Sequence, residues 1–123
     1  MSFDWRLYIQ LAGELINHQR IPMLQEAYLR SAMSRSYYGA FCIAGDLLTS
    51  RGVAIPRANT HTFVRTEYQN SPNRTDRAIG GHLSRLWRER KDADYNDAAI
   101  IDMSRAITAY QLAINILGKI EGI

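Results

Sequence analysis

Residues 23–51 of the chain, MLQEAYLRSAMSRSYYGAFCIAGDLLTSR, carry the clearest evidence for its class of fold. Pro22 before it favours a helix start, Gly52 after it favours a helix end, and no proline interrupts it. At about 100° per residue its apolar side chains fall on two opposite sides of one helix. Only a narrow sector is polar, and it holds Tyr28, Arg35, Gly39 and Asp46. Because both sides are apolar, we predict that this helix lies in the middle of a bundle.

Apolar residues recur at helical spacing on both sides of this stretch as well. They predict helices over about residues 4–19, 75–91 and 97–117, with a short helix that begins at Asn59 or Thr60. No segment alternates between polar and apolar residues as a strand does. The predicted fold is therefore all-α, an up-and-down four-helix bundle with an additional short helix, in a single domain that covers the chain.

Individual residues predict where these helices begin, bend and end. Asp4 is expected to cap the first helix, and Gly118 to end the last one. Gly80 and Gly81 each lower the helix propensity by about 1 kcal/mol, so their helix is expected either to continue or to break there. Residues 92–97 are mostly polar, and we predict that they form a connector between two helices.

The composition excludes several classes of protein. The chain of 123 residues is 46% apolar and 22% charged, which is typical of a globular domain and not of a disordered chain. No apolar run approaches the roughly 18 residues that span a bilayer, and the opening MSFDWRLYIQ is unlike a signal peptide, so we expect a cytoplasmic protein without membrane contact. Cys42 is the only cysteine and the three histidines are scattered, so neither a metal nor another cofactor is expected. The sequence signatures of common enzymes, such as a phosphate loop or HExxH, are absent.

The positive charge is concentrated in one segment. The chain has a net charge of +3, and its basic residues are 13 arginines and two lysines. Residues 74–91 alone carry a net charge of +4, and most of their basic residues share one face of the predicted helix. We call this face the basic stripe; it consists of Arg74, Arg77, Arg85, Arg88 and Lys91. Since arginine binds phosphate bidentately, the stripe predicts a phosphate-binding surface, and the alternative is an ordinary solvated face.

Two arginines fall where apolar residues are expected. The helical angle of Arg90 places it on the apolar side, so its guanidinium must reach the helix end or pair with a carboxylate, of which Asp94 is nearest along the chain. Arg35 lies beside the small residues Ala32 and Gly39 in the long helix. One interpretation is an ion-pair network that ties the connector to the long helix. The other is a cleft in which both guanidinium groups hold a phosphate.

Other side chains also have a structural and a functional interpretation. His61 lies in the first turn of the short helix, where an exposed capping role is common and a catalytic role is the alternative. Arg77 and His82 have Arg-x4-His spacing, but they lie about 140° apart unless the helix breaks at the two glycines. Trp87 flanks the basic stripe, where it can either stack on a base or pack in the core.

Two segments together resemble HEPN domains. Residues 30–48, RSAMSRSYYGAFCIAGDLL, contain the Ser-Arg-x-Tyr-Tyr-x-x-Phe pattern of the second helix of that family, and residues 86–95, LWRERKDADY, resemble its later Arg-x-x-Ala-Asp-Tyr element. His61 falls where many members carry a histidine. The resemblance implies a small helical bundle, often dimeric, that acts beside a minimal nucleotidyltransferase or in toxin–antitoxin and defence systems. Some branches of the family are metal-independent endoribonucleases.

The sequence departs from the ribonuclease branches of that family at one element. Those members carry a histidine four to six residues after the arginine, whereas Arg90 is followed by Asp94 and Tyr95 without a histidine. A carboxyl group with an ordinary pKa of about 4 is poorly matched to proton transfer at neutral pH. We therefore prefer a binding function to a nuclease.

The preferred hypothesis is a HEPN-type module that binds RNA or a nucleotide, forms a homodimer, and is paired with a nucleotidyltransferase-like or antitoxin protein. The alternatives are a metal-independent endoribonuclease toxin and a structural adaptor that dimerises through the last helix. The candidate catalytic residues are His61, Arg90 and Asp94, with Arg77 and His82 as a second pair. The expected nucleotide- or RNA-binding residues are Arg35, Tyr38, Arg77, Arg85, Arg88, Arg90 and Tyr95.

Overall fold

The computed structural model describes residues 3–18 and 21–122, and these residues form helices without a strand. The all-α class predicted from the sequence is therefore confirmed for the described part of the chain. A short 3-10 turn, Pro22–Leu24, precedes the second helix. The α-helices are α1 Arg6–Asn17, α2 Gln25–Ser50, α3 Thr60–Gln69, α4 Arg74–Tyr95 and α5 Met103–Glu121.

Helix α2 is the centre of the fold. It packs against α1, α3, α4 and α5, and its buried residues occur on more than one of its sides. Leu29, Met33, Tyr37 and Ala44 are all buried in the one hydrophobic core. The prediction that the longest helix lies in the middle of a bundle is confirmed. No helix within residues 3–18 and 21–122 has both the length and the apolarity needed to cross a membrane.

The polar sector predicted for this helix is wrong at one position. Gly39 is buried, and a Cβ atom built on it would lie 2.8 Å from Cγ1 of Ile9 and 3.2 Å from the carbonyl oxygen of Trp5. Helix α1 approaches α2 so closely at this point that only a residue without a side chain fits. The glycine therefore serves packing between α1 and α2 and does not open space beside Arg35.

Helix α4 is continuous, so neither the break at the two glycines nor the connector over residues 92–97 is observed. Arg30 of α2 explains why the helix continues to Tyr95. Its guanidinium donates hydrogen bonds to the carbonyl oxygens of Asp92 and Ala93 in the last turn of α4, and to those of Asn96 and Ala99 just after it. Carbonyls at the end of a helix lack full hydrogen bonding within the helix, and a cation there also opposes the helix dipole.

The predicted helix ends at Asp4 and Gly118 are wrong as well. Trp5 occupies the N-cap position of α1, and the Asp4 carboxylate accepts the backbone N–H of Arg6 instead. Helix α5 begins later than predicted, at a cap formed by Asp102, and it ends at Gly122, whose φ of 77° lies in the left-handed region. The predicted end of the first helix at residue 19 lies outside the described residues.

Candidate functional site

Helices α2, α3 and α4 bring a cluster of aromatic rings around His61. The Phe41 ring stacks on the imidazole at a centroid distance of 4.2 Å and an interplanar angle of 17°. Trp87 lies 5.1 Å from the imidazole and Tyr37 lies 5.7 Å from it. His61 is therefore half-buried among rings, and the exposed capping role is wrong for it. Asn59 occupies the N-cap position of α3 without a side-chain capping bond.

A hydrogen bond joins the Tyr37 hydroxyl to Nδ1 of His61. Burial raises the pKa of Tyr37 well above its ordinary value, so the hydroxyl stays protonated. Burial lowers the pKa of His61, and the charges of Arg90 and Arg65 lower that pKa further. The imidazole is therefore neutral at pH 7, and its Nε2 atom has no hydrogen-bond partner within the described ranges.

A cleft opens beside this cluster at the start of α3. Its volume is about 600 Å³, which is within the usual range for small-molecule sites. We call it the α3 cleft; it is lined by Arg57, Asn59, Thr60, His61, Thr62 and Trp87. Two rings, one cation and several hydrogen-bonding groups thus face one space. This set suits a flat, anionic molecule better than an apolar one.

Arg90 is buried next to the cleft, and its charge is matched on several sides. Its Nε lies 2.9 Å from Oδ2 of Asp94, an ion pair in which the N–H does not point along a hydrogen bond. Its Nη2 donates to the hydroxyl groups of Tyr38 and Tyr95. The guanidinium carbon also lies 4.9 to 5.3 Å from the ring centroids of Tyr38, Trp87 and Tyr95. The predicted pairing of Arg90 with Asp94 is confirmed.

Asp94 is engaged on the α2 side too. Ser34 of α2 donates a hydrogen bond of 3.1 Å to the same carboxylate oxygen that faces Arg90. The last turn of α4 is thereby tied to α2. Of the two interpretations of Arg90, the ion-pair network is the one observed. The carboxylate of Asp94 is occupied by protein groups, which disfavours its role as a general base.

Arg35 differs from Arg90 because it lacks an ionic partner. Its guanidinium carbon lies 4.8 Å from the ring centroid of Tyr8 and 5.9 Å from that of Tyr38. No carboxylate of residues 3–18 or 21–122 forms an ion pair with it. Arg35 and Arg90 therefore both contact the Tyr38 ring, and only Arg35 keeps an unmatched charge.

All five residues of the basic stripe on α4 are exposed. The acidic side chains nearest to it in sequence point elsewhere and are paired with arginines of other elements. Asp76 pairs with Arg51 at 2.9 Å, while Arg105 pairs with Glu89 at 3.1 Å and with Asp92 at 2.9 Å. The acids of α4 therefore leave the stripe without neutralisation.

Within the stripe itself, the charges have few protein partners. Arg77 donates to the carbonyl oxygens of Ser71 and Pro72, and Nζ of Lys91 lies 5.5 Å from the Trp87 ring centroid. The other three arginines of the stripe form no ion pair with any carboxylate that the structure describes. Lys91 connects the stripe to the α3 cleft, because Trp87 lines that cleft.

The second candidate pair, Arg77 and His82, is not brought together. Because α4 is continuous, their five-residue separation leaves them about 140° apart around the helix. Arg77 reaches the loop before α4, whereas His82 is half-buried in a groove between α4 and α5.

Three arginines with clear roles were not anticipated from the sequence. Arg57 lines the α3 cleft, Arg65 lies 5.1 Å from the Trp87 ring centroid, and Arg30 caps α4. Arg65 follows His61 by four residues on one helix, a spacing that places both on the same side. Arg30 contacts residues more than 60 positions away, for which the sequence carries no local signal.

Comparison of the chain with known protein families, curated proteins and solved structures finds no match. Among the residues that the structure describes, no group of three histidine, cysteine or acidic side chains is arranged to hold a metal ion. The features that bear on function are therefore the α3 cleft, the aromatic cluster around His61 and the basic stripe.

Proposed function

We propose that this protein is a HEPN-type module that binds RNA or a nucleotide and is paired with a nucleotidyltransferase-like or antitoxin protein in a toxin–antitoxin or defence system. The observation that carries the binding function is the exposed basic stripe without acidic partners. The pairing with a second protein rests on the sequence resemblance. In this proposal α1, α2, α4 and α5 form an up-and-down four-helix bundle, α3 is the additional short helix, and the protein is a cytoplasmic homodimer.

The dimensions of the stripe support binding of an extended polyanion. Its ends, Arg74 and Lys91, are separated by about 25 Å along the helix at 1.5 Å per residue. Such a length spans several phosphate groups of a single strand. Each phosphate contact releases condensed counterions, so affinity is expected to fall steeply as salt rises. Arg77, Arg85 and Arg88 would supply phosphate contacts that do not depend on the base sequence.

The α3 cleft supports a second kind of contact at one end of the stripe. Trp87 and His61 line this cleft with aromatic rings that a base could contact, and Arg57 offers a cation to its phosphate. Arg90 contacts the Trp87 ring that lines this cleft, and Tyr38 and Tyr95 contact Arg90 in turn. Together with Arg35, which lies over the Tyr38 ring, they would support the cleft rather than contact the backbone of the ligand. The stripe and the cleft together suit a single-stranded RNA or one nucleotide of it.

Equilibrium binding of a fluorescent single-stranded RNA tests this proposal. The wild type is compared with Arg88→Gln, Trp87→Leu and the control Arg6→Gln, which removes an exposed charge on α1. We expect Arg88→Gln to weaken binding several-fold, Trp87→Leu to weaken it by 1 to 3 kcal/mol, and Arg6→Gln to change it little. Absence of binding by the wild type at 50 mM salt, or equal loss in all three variants, would refute the proposal.

A second candidate is the metal-independent endoribonuclease. A neutral imidazole that lines the α3 cleft close to the charges of Arg57 and Arg65 favours it, because such a group can move a proton near a phosphate. The occupied Asp94 carboxylate disfavours it. RNA incubated with the protein in excess chelator separates the two functions. Cleavage that is lost in His61→Gln selects the nuclease, and intact RNA in the presence of binding selects the module.

The structural adaptor is distinguished by its oligomeric state and its indifference to polyanions. Ile107 and Ile114 of α5 are exposed and would face a second copy. Light scattering after size exclusion reports the mass of the particle. A dimer without RNA affinity selects the adaptor, and a dimer that binds RNA supports the module.

A further inference from the structure

A groove between α4 and α5 is separate from the α3 cleft. Its volume is about 220 Å³, which is room for roughly seven water molecules. The residues that line it are His82, Arg85, Thr108, Gln111, Leu112 and Asn115. All but one of them are polar, and the polar ones offer hydrogen-bond donors. We call this space the α4/α5 groove.

The charges around the groove have one sign. Arg85 of α4 and Lys119 of α5 both act on His82, and together with burial they lower the pKa of its imidazole. No carboxylate lines the groove. The nearest acids along the two helices are turned to other partners, since Glu89 is paired with Arg105 and Glu121 with Arg6. The groove therefore presents positive potential that no described protein group neutralises.

The neutral donors of the groove are available as well. Asn115 lines the groove beside His82. The side chains of Thr108 and Gln111 make no hydrogen bond to the rest of the described chain. One cation, an imidazole and these donors line a space too small for a run of nucleotides.

We propose that the α4/α5 groove is a binding site for a phosphate monoester dianion, held by Arg85 and His82, with Thr108, Gln111 and Asn115 as neutral donors. A dianion matches the fixed charge of Arg85 together with a His82 imidazolium, and its several oxygens match the donors that line the groove. The diester groups of an RNA backbone carry one charge each and fit this set less well. Arg85 also belongs to the basic stripe, whereas His82 and the neutral donors lie outside it, so the site is testable apart from RNA binding.

Occupancy is expected to couple to the protonation of His82. In the free groove burial lowers the pKa of His82, and the charges of Lys119 and Arg85 lower it further, so the imidazole is neutral at pH 7. A bound dianion favours the imidazolium form, so it raises the pKa of His82 and the anion binds more tightly as pH falls towards 6. Below that pH the second ionisation of a phosphate monoester, with a pKa of about 6, reverses the trend.

The imidazole resonances of the full-length protein test this proposal by NMR. They are titrated between pH 5.5 and 8 in sodium chloride and in sodium phosphate of equal ionic strength. We expect phosphate to raise the pKa of His82 by about one unit, equivalent to a tenfold difference in affinity between its protonation states. His61, which lies outside the groove, is expected to keep its pKa value. An equal shift of His61, or no shift of His82, would overturn the proposal.

Variants and ligands sharpen this experiment. Asn115→Asp places a carboxylate in the groove and Arg85→Gln removes the cation that lines it, so each is expected to abolish the phosphate effect while the spectrum reports an intact fold. Arg88→Gln, on the same helix but outside the groove, is expected to retain it. A nucleoside 5′-monophosphate that shifts His82 at lower concentration than inorganic phosphate identifies a phosphorylated organic ligand, and the reverse order identifies the free ion. An equal effect of a dinucleotide that has only a diester contradicts the proposed ligand class.

Discussion

The two faces of α4 both carry arginine, which is buried and paired on the inner face but exposed and unpaired with a described carboxylate on the outer face. On the inner face Arg90 is buried and surrounded by Asp94, two tyrosine hydroxyl groups and three rings. On the outer face Arg88 is exposed and has no carboxylate partner in the described part of the chain. An arginine whose charge is paired with a carboxylate holds helices together. An arginine without such a partner leaves positive electrostatic potential that can attract an anionic ligand. The difference separates a structural site from a binding surface on one helix.

The two adjacent glycines of α4 repeat this contrast. A Cβ atom on Gly80 would lie 2.7 Å from the backbone nitrogen of Gln69 in α3, whereas a Cβ atom on Gly81 would meet nothing within 4 Å. Gly80 thus permits the close approach of two helices. Gly81 lies on the outer face, where no side chain projects between the arginines of the basic stripe.

The largest effect on the unfolding free energy is expected from removing the charge of Arg90 on the inner face. Arg90→Met removes the ionic partner of Asp94 and the donor to the hydroxyl groups of Tyr38 and Tyr95. Because the Asp94 side chain stays 25% exposed, we expect a loss of about 3 kcal/mol of unfolding free energy, the low end for breaking a buried pair. Arg88→Met on the outer face should change that free energy by less than about 0.5 kcal/mol. Urea unfolding of both variants measures the difference. Equal stabilities would show that the charge of Arg90 is not matched by the protein.

The glycine pair gives the next largest effect, with opposite signs. Gly80→Ala forces Gln69 and its backbone to move, so we expect a loss of about 1 to 3 kcal/mol in unfolding free energy. Gly81→Ala adds a methyl group in open space and should raise that free energy by about 1 kcal/mol. Thermal and urea unfolding of the two variants check the signs. A stabilising Gly80→Ala would contradict the close packing of α3 on α4.

The smallest stability effect concerns pH. Because His61 and His82 have lower pKa values in the folded protein than the ordinary value of about 6.5, the unfolded chain binds more protons below that pH. Stability is therefore expected to fall as pH drops from 7.5 towards 5. His61→Gln should make this fall shallower. An unchanged slope in His61→Gln would indicate that the imidazole is not held neutral.

The sequence predicts the parts of this molecule that depend on neighbouring residues. The two-sided apolar pattern of residues 23–51 identifies the central helix, because helical angles follow from spacing alone. The pairing of Arg90 with Asp94 is predictable for the same reason, since four residues along a helix bring side chains together.

The errors lie where distant segments decide the outcome. Residues 92–95 remain helical because Arg30, from another helix, donates hydrogen bonds to carbonyl oxygens at the end of α4. Gly39 is buried because α1 packs on it. His61 is half-buried and not exposed as expected, because the rings of Phe41 and Trp87, from two other helices, pack against it. Helical spacing contains no information on such contacts, so the cleft could be suspected from its residues but not assembled from them.

The salt dependence of RNA binding tests the central contrast most directly. The slope of log K against log salt concentration for a single-stranded RNA counts the phosphate contacts, at about 0.7 for each. We expect Arg88→Gln to reduce the steepness of that slope by about 0.7, and Arg6→Gln to leave it unchanged. If both variants keep the slope of the wild type, or if the wild type shows no salt-dependent binding, the outer face of α4 is not a phosphate-binding surface.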